Sequence, residues 1–187
     1  MANSIVLASS SPRRKQLLEW AEIAFEVIVK PVDETFPVGV KSTEAAIYIA
    51  LKKAKAVQEE VGKDRIIIAA DTVVVLNGEV IGKPADQQEA VHTLTQLQGK
   101  THEVITGVAI LKGAKQLLFA DVTEVTFNPL TPEQILFYVE KYQPYDKAGA
   151  YAIQEWIGVV GIQSIKGDFY NVMGLPVNRV VQALANI

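Results

Sequence analysis

The sequence predicts an α/β protein built on a mixed, twisted sheet with flanking helices. Three observations carry this. Apolar, β-branched runs such as Ile5 to Ala8 and Ile66 to Leu76 alternate with stretches of helical spacing, for example Ile47, Ala50, Leu51, Ala54 and Val61. The dipeptide Asn77-Gly78 closes a hairpin within that alternation, so the sheet cannot be purely parallel. At 187 residues, about half of them apolar, the chain can bury a full core as one domain or as two small lobes sharing a cleft. We read residues 1–187 as one domain.

In chain order, Ile5 to Ala8 reads as a buried strand running into Ser9-Ser10-Ser11-Pro12-Arg13-Arg14. Ser11 is the natural cap of a helix that begins at Pro12 and ends near Trp20 to Glu22. Phe25 to Val29 is a second strand, and Lys30 to Lys41 is a polar loop containing Asp33-Glu34. A helix follows from Ser42 to about Gly62, with Lys52 facing away from its apolar stripe and Lys53 and Lys55 on the borders. Ile66 to Leu76 is a central strand returning through Asn77-Gly78 into Glu79 to Ile81. Gly82-Lys83-Pro84 then holds Lys83 extended.

Asp86 starts a third helix to about Leu97, on which His92 is exposed. His102 to Leu111 and Gln116 to Phe127 are paired strands joined around Lys112-Gly113. Thr106-Gly107 marks a close approach of the backbone to another group. Thr131-Pro132-Glu133 opens a helix to Tyr142, and Asp146 to Gln154 is a small-residue segment of the kind that lines pockets. Ile157 to Ile165 reads as a further strand, Gly167 to Asn171 as a turn, and Val177 to Leu184 as a C-terminal helix.

Composition narrows the chemistry. The absence of cysteine excludes disulfides and thiolate catalysis, and two histidines, His92 and His102, cannot make a multi-histidine metal site. A metal would need oxygen ligands. The net charge of −3 argues against a broad basic surface for nucleic acid. No apolar run is long enough to span a bilayer and no signal-peptide pattern opens the chain, so a cytoplasmic location without membrane partners is expected.

Two features stand out against that background. Arg13 and Arg14 place cations at the positive end of a helix dipole, where an anion is favoured. With Ser9 and the exposed N–H groups they could form a polyphosphate receptor, and a plain capped helix with solvated arginines is the other reading. Asp71 interrupts an apolar strand, where a carboxylate must be paired, metal-bound or facing a cavity. Carboxylates at Glu34 and Asp71 with cations at Arg13, Arg14, Lys53 and Lys83 suit hydrolysis of a phosphoanhydride assisted by an oxygen-preferring ion. There is no P-loop, no Gly-x-Ser-x-Gly elbow and no cysteine nucleophile, which leaves water to attack.

These residues carry a family resemblance. Ser9 to Arg14, Asp33-Glu34, Lys53, Ala70-Asp71-Thr72, Gly82-Lys83-Pro84, Asp146 to Gln154 and Asn171 to Pro176 resemble, in order and over the whole chain, the motifs of the Maf family of nucleoside triphosphate pyrophosphatases. The resemblance implies an inosine-triphosphatase-like fold with a deep cleft. It also implies release of monophosphate and pyrophosphate with a divalent cation (Mg or Mn) as cofactor, and a possible homodimer. It makes Asp71 the general base, with Glu34, Lys53 and Lys83 at the other catalytic positions. Asp71 and Glu34 are the candidate metal ligands, and Ser9, Arg13 and Arg14 the triphosphate receptors. Arg13, Thr72 and Gln154 match the dTTP and UTP subgroup, and Gln154 has the donor and acceptor that could pair with a uracil or thymine edge. The alternatives are a purine-type (inosine or xanthosine triphosphate) pyrophosphatase and a non-enzymatic, nucleotide-sensing regulator of septum formation.

Overall fold

A computed structural model describes residues 5–36 and 39–187. The elements are β1 (Ile5–Leu7), α1 (Pro12–Trp20), β2 (Glu26–Val27), α2 (Ser42–Val61), β3 (Ile66–Leu76), β4 (Glu79–Ile81), α3 (Gln87–Leu97), β5 (Thr101–Lys112), β6 (Lys115–Phe127), α4 (Pro132–Tyr142), α5 (Trp156–Gly161), β7 (Ile162–Lys166), α6 (Phe169–Met173) and α7 (Val177–Leu184). Two short 3-10 turns, Pro144–Asp146 and Ala148–Ala150, lie between α4 and α5. The seven strands follow the order β2-β1-β3-β5-β6-β7, with β4 paired to β3. β1 runs parallel to β2 and β3, while β4 and β7 pair antiparallel, so the sheet is mixed as predicted. No helix among the described residues is long and apolar enough to cross a membrane.

The chain divides into two compact units. The first comprises the chain up to Thr72, Thr106–Asp121 and Gly174–Ile187, and the second Val73–Ile105 and Val122–Met173. In the first, α2 lies on the sheet through a core of Val6, Ala8, Ala50, Ala54, Val57, Ile67, Ala69, Ala109 and Leu111. The alanines thin both surfaces and let helix and strands come close. Gly107 is the extreme case: a Cβ there would stand 2.3 Å from the Ala46 carbonyl carbon and the Ile47 nitrogen. The close approach read from Thr106-Gly107 is thus to the backbone of α2, and β5 runs through it unbroken.

The second unit corrects two expectations. Ile157 to Ile165 is not one strand: Trp156–Gly161 is a helical turn and only Ile162–Lys166 is extended. Burial of Ile157 and the seating of Gly158 against the Ile153 carbonyl, where a Cβ would come within 1.7 Å, override the β propensity of Ile157, Val159 and Val160. The expected turn at Gly167 to Asn171 contains the start of α6, with Asn171 buried and its Nδ2 donating to the Val104 carbonyl. In the first unit, β2 is shorter than the expected Phe25 to Val29 and exposed. The Lys30 to Lys41 loop has no regular element in its described part, and its Pro37 and Val38 lie outside the described residues.

Candidate active site

Strand alternation places Asp71. Ile67 and Ala69 face α2 and pack against Ala50 and Ala54, and a period of two aims Asp71 the same way. Lys53, one residue before Ala54, lies on the border of the same helix face. Its ammonium reaches Asp71 Oδ1 at 2.7 Å and Glu34 Oε1 at 2.9 Å. The cluster grades from interior to solvent, with side-chain exposure of 12% for Asp71, 16% for Lys53 and 51% for Glu34. An acid in an apolar strand is therefore compensated by a cation whose stem lies along the core. Next to it, Asp33 accepts from the Thr35 hydroxyl and N–H, which hold its carboxyl below the usual range, and lies 3.6 Å from Lys52. Lys55, on the other border of the stripe, is exposed.

A second cluster forms on the opposite face of β3. The Ser11 side chain caps α1 by accepting from the Arg14 N–H. Arg14 does not extend into solvent. Its Nε donates to the Gly174 carbonyl at 2.7 Å, Nη1 to Ser9 Oγ at 3.1 Å and to the Ala70 carbonyl at 2.8 Å, and Nη2 to Thr72 Oγ1 at 2.9 Å. Four of its five N–H groups thus meet protein oxygens. For Arg14, part of the negative charge that the helix start calls for is provided by the fold itself. Burial lowers this guanidinium to about 10, with Asp71 opposing the shift, and it remains a cation at neutral pH. Thr72 shares a second hydrogen bond with Thr106 at 2.9 Å. Ser9 Oγ accepts from Arg14 and from the Ser11 N–H at 3.3 Å, so its own O–H is what it can still donate. Arg13, half-buried, precedes Arg14 on α1.

Lys83 and Gln154 belong to the second unit, and both are exposed. Lys83 precedes buried Pro84, and the Gly82 carbonyl accepts from the Gly149 N–H at 3.2 Å, tying the Lys83 segment to the small-residue stretch that leads to Gln154. The sequence reading missed the network beneath that stretch. Tyr138, Glu155 and Lys147 are joined there, and the Tyr151 hydroxyl meets His102 Nε2 at 2.7 Å. The only sequence signal for it was the presence of charged and aromatic residues among alanines and glycines.

A family model for Maf-like protein matches residues 4–187. The chain belongs to the Maf-like family. It is 51% identical to a dTTP/UTP pyrophosphatase of Cytophaga hutchinsonii over 96% of this chain and 82% of that one. It is 48% identical to a dTTP/UTP pyrophosphatase of Phocaeicola vulgatus, covering 98% and 95%. In fold it is similar to the Staphylococcus aureus Ham1 protein, with a TM-score of 0.53 and 18% identity over 97% of both chains. The mixed α/β architecture of this Maf-like chain is thus the inosine-triphosphatase-like one expected.

Among the described residues no three His, Asp or Glu side chains gather into a metal-binding group. The Asp71 and Glu34 carboxylates, both within 3 Å of one ammonium, are nonetheless placed to share a cation. That donor set fits a hard divalent ion of the magnesium type, which takes one or two carboxylates and completes its shell with phosphate oxygens and water.

Proposed function

We propose that this Maf-like protein hydrolyses dTTP and UTP to the nucleoside monophosphate and pyrophosphate. Water attacks the α-phosphorus, a new P–O bond forms, and the bond from that phosphorus to the bridging oxygen breaks with pyrophosphate leaving. The observation that carries the reading is the Asp71–Lys53–Glu34 cluster, in which an acid in an apolar strand is paired with the Lys53 ammonium. Lys53 occupies Asp71 Oδ1, so Oδ2 is the oxygen that takes the proton from the attacking water.

Asp71 and Glu34 would hold the divalent cation, whose chemistry is to neutralise phosphate oxygens and favour ionisation of water. Lys53 and Lys83 offset negative charge as it grows on the leaving pyrophosphate. Ser9 and Arg13 take the triphosphate by O–H and guanidinium donation. Arg14, with one N–H left, acts mainly by fixing Ser9 and Thr72. Gln154 offers its amide to the pyrimidine edge, and Thr72 completes the choice of base. A cytoplasmic location and a homodimer complete this reading.

A panel of nucleoside triphosphates incubated with Mg²⁺ or Mn²⁺, with products separated, tests it. Monophosphate plus pyrophosphate from dTTP and UTP is expected, together with loss of turnover in excess EDTA. Diphosphate plus orthophosphate would place the attack on another phosphorus and overturn the assignment.

A further inference from the structure

Gln154 stands in a tight turn, Ala152-Ile153-Gln154-Glu155, closed by the Glu155 N–H donating to the Ala152 carbonyl at 3.1 Å. Ala152 and Ile153 are buried, while Gln154 is exposed. Both ends of the turn meet one phenol. Tyr138, fully buried on α4, accepts the Ala152 N–H at 3.1 Å and donates to Glu155 Oε2 in a short hydrogen bond. Lys147, also buried, lies 3.7 Å from Glu155 Oε1 and 2.8 Å from Asp146 Oδ1.

The phenol stands on a firm support. α4 opens with a reciprocal cap between Thr131 and Gln134, and the Tyr138 ring stacks on Tyr142 with centroids 5.0 Å apart. We infer that Tyr138 is a positioning residue for base selection: its hydroxyl clasps the two ends of the turn and thereby fixes where the Gln154 amide points. A single O–H that donates on one side and accepts on the other suits this task, because neither end can move without breaking its hydrogen bond to the buried Tyr138. The inference rests on the reading of Gln154 as partner of the pyrimidine edge, and a role confined to holding the fold would leave base preference unchanged.

Steady-state kinetics of Tyr138→Phe, Gln154→Ala and the double variant with dTTP, UTP, ATP and ITP test it. Loss of a buried hydrogen bond that positions a binding group should raise KM for dTTP and UTP about tenfold in Tyr138→Phe, with kcat changed less than about twofold. KM for the purine nucleotides should not rise, so the preference narrows. In the Gln154→Ala background the same substitution should add less than about twofold. An unchanged KM ratio in Tyr138→Phe, or an effect that persists undiminished without Gln154, overturns the inference. If Gln154→Ala itself leaves base preference intact, the underlying reading of Gln154 fails instead. Should Tyr138→Phe not fold by circular dichroism, Glu155→Ala probes the clasp from its other partner. Glu155→Gln, which keeps an acceptor for the hydroxyl, should then restore KM for dTTP, and equal behaviour of the two Glu155 variants overturns the proposal.

Discussion

Arg14 and His102 are both buried, and their surroundings set whether each carries a charge at neutral pH. Arg14 keeps its charge because two carbonyls and two hydroxyls receive it. His102 is the opposite case. It is buried, stacks on Phe127, and shares a hydrogen bond between Nε2 and the Tyr151 hydroxyl, but Nδ1 has no partner. Burial pulls its imidazole down from 6.5 to about 4. Below pH 6.5 the unfolded chain therefore takes up a proton that the folded chain refuses until about pH 4. Stability that is complete above this window is lost as pH falls through it, by about 3 kcal/mol in full. Urea unfolding of wild type and His102→Gln between pH 7 and 4.5 checks this. The wild type should lose more stability than the variant, whose side chain can still reach Tyr151 but cannot titrate.

Elements in this fold are set in two ways, and only one of them is visible in a linear reading. Asn77-Gly78 and Thr131-Pro132 dictate a hairpin and a helix start within a few residues, and both occur where expected. Asp71 declares itself by being out of place in an apolar strand, whereas the border position of Lys53 on α2 is shared by Lys55 and does not single it out. The inward turn of Arg14 gives no such sign, because its partners at Ala70 and Gly174 lie 56 and 160 positions away. The same holds for α5, where contact with Ile153 decides against the strand that Ile157, Val159 and Val160 favour. Glu34 sits in a loop without periodicity, so it is picked out only as an acid in a long polar loop and by the family resemblance. Gly107 shows how demanding such distant contacts are. Gly107→Ala would force α2 away from β5, and with it the helix that carries Lys53. Overpacking against backbone should cost at least about 1–3 kcal/mol. Chemical denaturation of the variant, with KM and kcat for dTTP measured in parallel, should show a lower midpoint and impaired turnover together.

At the level of the whole molecule, the proposed function asks a chain of net charge −3 to bind a polyanion, and this works only if its cations are concentrated where the ligand binds. On the proposed mechanism Asp71 would be a liability for binding and an asset for turnover, because its negative charge would repel the triphosphate. Asp71→Asn separates the two. Removing a general base should lower kcat by roughly 10²–10⁴-fold. Without divalent cation, where Asp71 has no metal to hold, the nucleotide should still bind at least as tightly as before, since one negative charge is gone and Lys53 retains Glu34 as a partner. Binding appears as stabilisation by mass action: at about 100 times Kd, dTTP should add about 2.7 kcal/mol. For a chain of this length that corresponds to a rise in Tm of roughly 5–10 °C. Thermal unfolding of Asp71→Asn with and without dTTP, beside a turnover assay of the same preparation, checks both halves. A protein that only senses nucleotide would show the same rise in Tm in variant and wild type with no turnover in either. Loss of the dTTP-dependent rise in the variant alone would make Asp71 a binding group and remove it from the role of base.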